Sequence, residues 1–335
     1  MFDSQKILIT GGTGSLGRAL TKHLLKENVD QIRIYSRNEN NQISMKHLFS
    51  NENRLRFHIG DIRDKERLLR SMEGVDVVFH TAALKHVDII EYNPFESIKT
   101  NIIGSQNVID ACHDSGIKIA VAIGTDKAVA PLNVYGATKL LTEKLFVSAS
   151  NYVDRIKHPT KFLTTRYGNV LGSSGSVVPR FAELIRSKKN IEITNPEMTR
   201  FTITMEDALK FIVNSMQKSK GSDVFVPKLK AYNIMDLKDA LFEMLGKTDY
   251  KITKIRPGEK ISEVLIGEDE MRNALESNSD YVIIRGIDSE SELKEKYPNY
   301  NKVKDLKAFS SNKVEKVSKK ELIEILEPIV NLDNK

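Results

Sequence analysis

The stretch Lys6-Ile-Leu-Ile-Thr10-Gly11-Gly12-Thr13-Gly14-Ser15-Leu16-Gly17 decides how the rest of this chain is read. A short, continuously apolar run ends in glycines at positions 11, 14 and 17, and a helix-period segment begins at about Leu16. Strand, glycine turn and helix in that order meet the needs of a dinucleotide pyrophosphate: a tight turn, close approach of the backbone to phosphate, and a helix packed tightly on its strand. Glycines alone would be ordinary turn formers; their placement makes Gly11, Thr13, Gly14, Ser15, Leu16 and Gly17 candidate cofactor contacts.

Outward from this stretch, apolar runs at Ile32–Tyr35, Leu55–Ile59, Val75–His80 and Ile117–Ile123 alternate with helix-period segments. The runs are too uniformly apolar for a sheet with one wet face, so helices should cover both faces of a parallel sheet. The expected fold is α/β, a Rossmann-like doubly wound parallel sheet with a smaller C-terminal substrate-binding region. Residues 1–170 would form mainly the dinucleotide-binding domain and 171–335 mainly the substrate-binding region, with some chain crossing back to the sheet. After a strand at Lys161–Tyr167 come the loop Gly172-Ser-Ser-Gly-Ser176 and helices near Val178–Ser187 and Met205–Ser215. Beyond about Gly286 the chain turns polar and lysine-rich, and Lys320–Ile329 reads as an amphipathic surface helix.

At 335 residues, 40% hydrophobic and 29% charged, the chain can bury a full core, and no apolar run approaches the roughly 20 residues of a membrane span. The net charge of +6 is spread among acids, without the basic stripe of a nucleic-acid surface. No nucleic acid and no membrane are expected as partners. The start Met-Phe-Asp-Ser-Gln-Lys lacks a signal-peptide pattern and Cys112 is the single cysteine, so a cytoplasmic location is expected. His58, His80 and His86 lack metal-ligand spacing, and no metal is expected.

At the tip of the second strand, where an NAD site usually presents a carboxylate to the ribose, this chain has Tyr35-Ser36-Arg37. A hydroxyl and a guanidinium would hold a 2′-phosphate that a carboxylate would repel, which favours NADP. After the third strand, Asp61-Ile62 is placed to meet an adenine edge, or Asp61 caps the helix starting at Lys65.

The fifth strand runs into Gly124-Thr125-Asp126-Lys127-Ala-Val-Ala-Pro-Leu-Asn-Val-Tyr135-Gly-Ala-Thr-Lys139. Four residues separate Tyr135 from Lys139, so on a helix they share one face, and the ammonium should lower the phenol's pKa towards that of a usable base. The carboxyl end of this strand is where a doubly wound sheet presents its ligands.

With these residues in place the chain resembles the extended short-chain dehydrogenase/reductase family, over nearly its whole length. It is most similar there to the inverting UDP-N-acetylglucosamine 4,6-dehydratases, of polysaccharide and flagellin glycan biosynthesis. The resemblance is carried by Thr125-Asp-Lys-Ala-Val-Ala-Pro with Asn133-Val-Tyr-Gly-Ala-Thr-Lys139, Ala82-Ala-Leu-Lys-His-Val87 with Glu91-Tyr-Asn-Pro-Phe95, Arg166-Tyr-Gly-Asn-Val170, Asp207 at the end of Met-Thr-Arg-Phe-Thr-Ile-Thr-Met-Glu-Asp, and Arg256-Pro-Gly-Glu-Lys260. Asn41 departs from the family pattern, which often has a lysine near the 2′-phosphate.

The resemblance implies a tightly bound NADP recycled within each turnover, Ala82 and Ala83 among its contacts, and a homo-oligomer. It implies that Thr125 holds the sugar's carbon 4 hydroxyl and Tyr135, with Lys139, takes its proton. Lys127, its ammonium depressed by Lys139, the cofactor or burial, removes the carbon 5 proton, and Asp126 protonates the hydroxyl leaving carbon 6. Lys85, Asn169, Arg200, Arg256 and Glu259 match positions meeting UDP-N-acetylglucosamine, and Asn101 is placed either to order the site or to pack its helix. A nucleotide-sugar 4-epimerase shares the fold, the tyrosine and the lysine without needing Asp126 and Lys127, and is the alternative enzyme. A non-catalytic NADP-sensing protein is the distant alternative, with no use for Thr125, Tyr135 and Lys139 together.

Overall fold

The computed structural model describes residues 1–151, 153–154, 156–173, 175–284 and 289–332. Ser174 of the expected loop and Gly286, where the polar tail begins, lie outside the described residues. Strand β1 (Lys6–Thr10) runs into the glycine turn and helix α1 (Ser15–Leu24). Strands β2 (Gln31–Ser36), β3 (Leu55–Ile59), β4 (Val77–His80), β5 (Ile119–Ile123) and β6 (Lys161–Thr165) follow in chain order. They stand side by side as β3-β2-β1-β4-β5-β6, all parallel. The reversal of order on either side of β1 makes the sheet doubly wound and opens a crevice at its carboxyl ends.

Each face of this sheet is dry. Ile7, Ile9, Ile34, Phe79 and Val121 pack against α1 and the helix Met205–Lys218, while Leu8, Val78, Ala120 and Ala122 pack on the other side against the helices Lys65–Met72, Gly104–Asp114 and Val134–Ser148. Burial on both sides is why these strands carry apolar residues at successive positions.

Strands from the second half of the chain join the same sheet. The strand Asp223–Pro227 adds to β6 in parallel, and Asp280–Ile284, Ala274–Glu276 and Asn301–Lys302 extend the edge antiparallel, for ten strands among the described residues. The expected parallel sheet is thus parallel only through Asp223–Pro227. A separate core joins the helices Val177–Arg186, Ile234–Leu245 and Lys319–Leu332. Within the last of these, Leu322, Leu326 and Val330 are buried, so the expected surface helix is a packed one with a solvated outer face.

Candidate active site

A cavity of about 570 Å³ opens at the carboxyl ends of β1, β2, β4 and β5. Its floor is the glycine turn. Gly11 has φ +68°, and a Cβ there would sit 2.8 Å from the Ala82 Cα; a Cβ on Gly17 would sit 2.5 Å from Gly12. Both positions exclude a side chain. Gly14, the N-cap residue of α1, brings no side-chain cap, and a helix N-terminus at this place favours an anion such as a diphosphate. Thr13, Ser15, Leu16, Ala82 and Ala83 line the same cavity, as do Ser36, Arg37, Asp61 and Ile62 at the adjoining strand ends.

Ser36 is buried and its hydroxyl accepts from Gln42 Nε2 at 3.0 Å. Arg37 is half-exposed, 3.6 Å from the Asp61 carboxylate. Burial alone would raise the Asp61 pKa, but the hydrogen-bonded Arg63, with help from Arg37, holds it below the usual carboxylate range. Asp61 does not cap the following helix. Asp64 does, accepting from the Arg67 N–H, because it stands one residue before the first helical position. Asn41 is in the first turn of the helix Glu39–Leu48, its N–H bonded to the capping Asn38.

Thr125, Tyr135 and Lys139 all face the cavity. Thr125 follows β5 and caps a short 3-10 turn, Asp126–Ala128. Tyr135 and Lys139 lie on the helix Val134–Ser148, capped by Asn133, whose Oδ1 accepts from the Gly136 N–H at 2.8 Å while its Nδ2 donates to the Gly258 carbonyl at 2.9 Å. Asn101 sits in a π-helical segment, Ile98–Ile103, between two α-helices. It accepts from the Leu84 N–H at 2.8 Å and donates to Thr138 Oγ1 at 3.0 Å, tying the loop after β4 to the catalytic helix. A widened turn is what lets its amide reach both.

The charges differ from the expected pattern in two ways. Burial pushes the Tyr135 phenol up; the cation that opposes this is Lys127, and Thr125 hydrogen-bonds the phenol. Lys139 instead donates to the Ile123 carbonyl at 2.6 Å. Burial depresses the Lys139 amine to about 8 despite Glu143 one helical turn on. Lys127 was expected to be the depressed amine, yet its pKa is raised: burial would lower it, but Asp126 and Glu263 outweigh that. Its Nζ lies 3.0 Å from Asp126 Oδ1 and 3.4 Å from Glu263 Oε1.

Asp126 and Lys127 stand beside the cavity rather than lining it. Asp126 is 1% exposed, accepts from Thr125 Oγ1 at 3.0 Å through Oδ1, and has a buried, unpartnered Oδ2. Of the expected sugar contacts, Lys85 lines the cavity and burial lowers its pKa. Asn169 begins a short strand, with a buried Oδ1 that has no hydrogen-bond partner. Arg200 is turned into the C-terminal region, donating to the carbonyls of Thr199, Lys260 and Ile261. Arg256 and Glu259 form an exposed turn, closed by the Glu259 N–H on the Arg256 carbonyl and outside the cavity lining. That turn is nevertheless pinned to the catalytic loop, since Lys260 Nζ donates to the Val129 carbonyl at 2.6 Å.

Behind the catalytic helix lies a group that spacing did not reveal. Arg166 is fully buried and forks onto Glu143 at 2.5 and 2.7 Å and onto Glu270 at 2.7 and 2.8 Å. The only signal in the chain is that Glu143 follows Lys139 by four positions and that Arg166 opens a matched block. His80, also buried, bonds Thr10 Oγ1 and Ser105 Oγ and stacks on Phe146.

Residues 7–285 match the family described as polysaccharide biosynthesis protein. The chain is 47% identical to the UDP-N-acetylglucosamine 4,6-dehydratase (inverting) of Campylobacter jejuni serotype O:23/36, over 97% of this chain and 98% of that one. It is 36% identical to the UDP-glucose 4-epimerase of Rickettsia felis, over 99% of this chain and 97% of that one. Among solved structures, Pen from Bacillus thuringiensis superposes with a TM-score of 0.90 at 34% identity, covering 98% of each chain. By sequence match over residues 7–285, and with the doubly wound sheet and glycine turn described above, the chain belongs to the polysaccharide biosynthesis protein family.

Proposed function

We propose that the chain removes water across carbons 5 and 6 of UDP-N-acetylglucosamine with inversion at carbon 5. The product is a UDP-2-acetamido-2,6-dideoxy-4-keto-hexose of the L-arabino configuration, a precursor for surface glycans or nonulosonic acids such as pseudaminic acid. The observation that carries this reading is the junction of two residue sets. Thr125, Tyr135 and Lys139 face the dinucleotide cavity, and a directly hydrogen-bonded Asp126–Lys127 pair stands next to Thr125. An epimerase uses the first set and has no task for the second. The enzyme is proposed to act in the cytoplasm as a homo-oligomer.

The glycine turn, the N-terminus of α1 and the cavity beside Ala82 fit a nicotinamide dinucleotide. Once bound, that group would accept two electrons from carbon 4 and return them at carbon 6. Ser36 and a half-exposed Arg37 support NADP, because a 2′-phosphate would find a hydroxyl and a guanidinium held by only a long ion pair to Asp61 among the described residues.

Around the sugar, Thr125 orients the carbon 4 hydroxyl and Tyr135 accepts its proton. The resulting ketone acidifies carbon 5. Lys127 takes that proton while Asp126 protonates the hydroxyl that leaves carbon 6 as water. This requires a neutral amine and a neutral acid, the reverse of the resting pair. The 3.0 Å contact supplies the route: an N–H bond of Lys127 breaks, an O–H bond of Asp126 forms, and no outside proton is needed. The unpartnered Asp126 Oδ2 is the oxygen open to the leaving hydroxyl. Asn169, Lys85, Arg200, Arg256 and Glu259 are proposed to hold the nucleotide sugar, the last two from the exposed turn outside the cavity lining.

Proton NMR of UDP-N-acetylglucosamine with the purified protein in deuterated water tests this without added reductant. A methyl signal at carbon 6, with deuterium and inverted ring coupling at carbon 5, is expected. A 4-epimer with no methyl signal would overturn the dehydratase in favour of the epimerase.

A further inference from the structure

Glu263 comes from the far end of the chain to meet Lys127, and nothing in the function proposed so far uses it. It is 3% exposed, just ahead of the strand Val264–Ile266 that pairs with Phe309–Ser310. Its backbone is clamped from both sides: its N–H donates to Ser311 Oγ at 2.9 Å, and its carbonyl accepts the Ser311 N–H at 2.8 Å. Oε1 faces Lys127 Nζ at 3.4 Å and Arg200 Nε at 3.8 Å. Oε2 is buried with no hydrogen-bond partner.

A carboxylate taken out of water and left half-satisfied costs stability, so this arrangement is poorly explained as a fold-stabilising ion pair. Asp126 is already a full partner for Lys127. A second fixed anion beside the same amine has a chemical consequence. When Lys127 removes a proton it becomes an ammonium at the moment Asp126, having given its own proton away, becomes an anion bound to other business at carbon 6. Glu263 gives up and gains no proton in that step, and is the charge that stays constant.

We propose that Glu263 is a positioning residue for the elimination, holding the Lys127 amine beside Asp126 and stabilising the ammonium that forms as Lys127 takes the carbon 5 proton. The step balances: the C5–H bond gives its proton to the Lys127 nitrogen and its electron pair to a new C5–C6 double bond, the C6–O bond breaks, and the departing hydroxyl leaves as water with the Asp126 proton. The inference rests on the dehydratase reading. Lys127 is faced by Asp126 and Glu263, by the cations Arg200 and Lys260, and by the phenols Tyr135 and Tyr232. Removing one of only two anions from that set lowers the affinity of the Asp126–Lys127 pair for its shared proton.

The experiment compares the wild-type holoenzyme with Glu263→Gln and Glu263→Asp on UDP-N-acetylglucosamine, after melting curves and cofactor content establish that each is folded and loaded. Single-turnover absorbance follows oxidation at carbon 4, and NMR follows the carbon 6 methyl group. For Glu263→Gln, kcat for dehydration should fall on the order of tenfold to hundredfold. KM and carbon 4 oxidation should hold, and the alkaline limb of the kcat profile, which reports loss of the shared proton, should move to lower pH. Glu263→Asp should return the limb towards the wild-type position. An unmoved limb with wild-type dehydration overturns the proposal, as does an equal fall in oxidation and dehydration, which marks a merely structural residue. If the wild-type enzyme itself forms no keto sugar, the dehydratase reading fails first, visibly apart from any effect of Glu263.

Discussion

The two sides of the catalytic cleft are built on opposite plans. On the dinucleotide side the polymer withdraws: Gly11 and Gly17 have no room for a Cβ, α1 starts without a side-chain cap, and Arg37 is half-exposed. On the sugar side the side chains close on one another, with Lys127 between two carboxylates, Asp126 1% exposed and Arg200 bound to backbone carbonyls. A site for a resident group can be left as a preformed mould, since its ligand is always the same and supplies the missing contacts. Under the proposed function, a site that first oxidises and then eliminates is served by an acid and a base that stay paired until the substrate arrives.

The largest break in that contrast comes from Lys127→Ala. The dinucleotide side should be untouched, so the variant should bind its cofactor; carbon 4 oxidation should slow, since Lys127 is the cation opposing the raised Tyr135 phenol, but by less than elimination. Formation of the carbon 6 methyl group should drop on the order of 10²–10⁴-fold. Substantial elimination by this variant, measured by NMR against cofactor content, would remove Lys127 from the role of carbon 5 base.

Behind both sides stands the Arg166 fork, which supports the helix that carries Tyr135 and Lys139. Arg166→Met leaves Glu143 and Glu270 facing each other without their cation, and breaking a buried ion group in this way costs about 3–5 kcal/mol. A large fall in melting temperature is expected. A variant melting within a degree or two of the wild type would mean that Glu143 and Glu270 find protons or water at little cost.

How much of this could be read from residues alone depends on the range of the interaction. Strands β1 and β3 begin and end where their apolar runs do, because local burial and strand pairing coincide there. The runs at Val75 and Ile117 start two residues ahead of β4 and β5, since both residues are buried in the turns that precede pairing. Periodicity reports burial and cannot tell it from a ladder. The antiparallel edge was invisible for the same reason.

In the site, four-residue spacing put Tyr135 and Lys139 on one helix, and the glycine spacing placed the turn. Spacing says nothing of which charge meets which across 100 residues or more. Glu263 against Lys127 and Glu270 against Arg166 are contacts of that kind, and the first of them adds to Asp126 in raising the Lys127 amine that was expected to be depressed. Arg256 and Glu259 matched a motif but form a turn outside the cavity lining, a placement that a motif match does not specify.

The smallest predicted effect concerns the amine that is depressed. Lys139 titrates at about 8 in the fold, below the 10.5 of a free lysine, because burial penalises its charge. Between those values the unfolded chain holds a proton that the folded chain has lost, so stability must rise with pH there; below about 8 the penalty is carried in full. The comparison is cofactor-free wild type against Lys139→Met, by urea unfolding from pH 7 to 10.5. The other lysines and tyrosines titrate alike in both proteins and cancel in the difference. The wild type should gain roughly 1–3 kcal/mol on the variant as pH rises across that window. A flat difference would mean that the bond to the Ile123 carbonyl and the nearby Glu143 keep the amine charged.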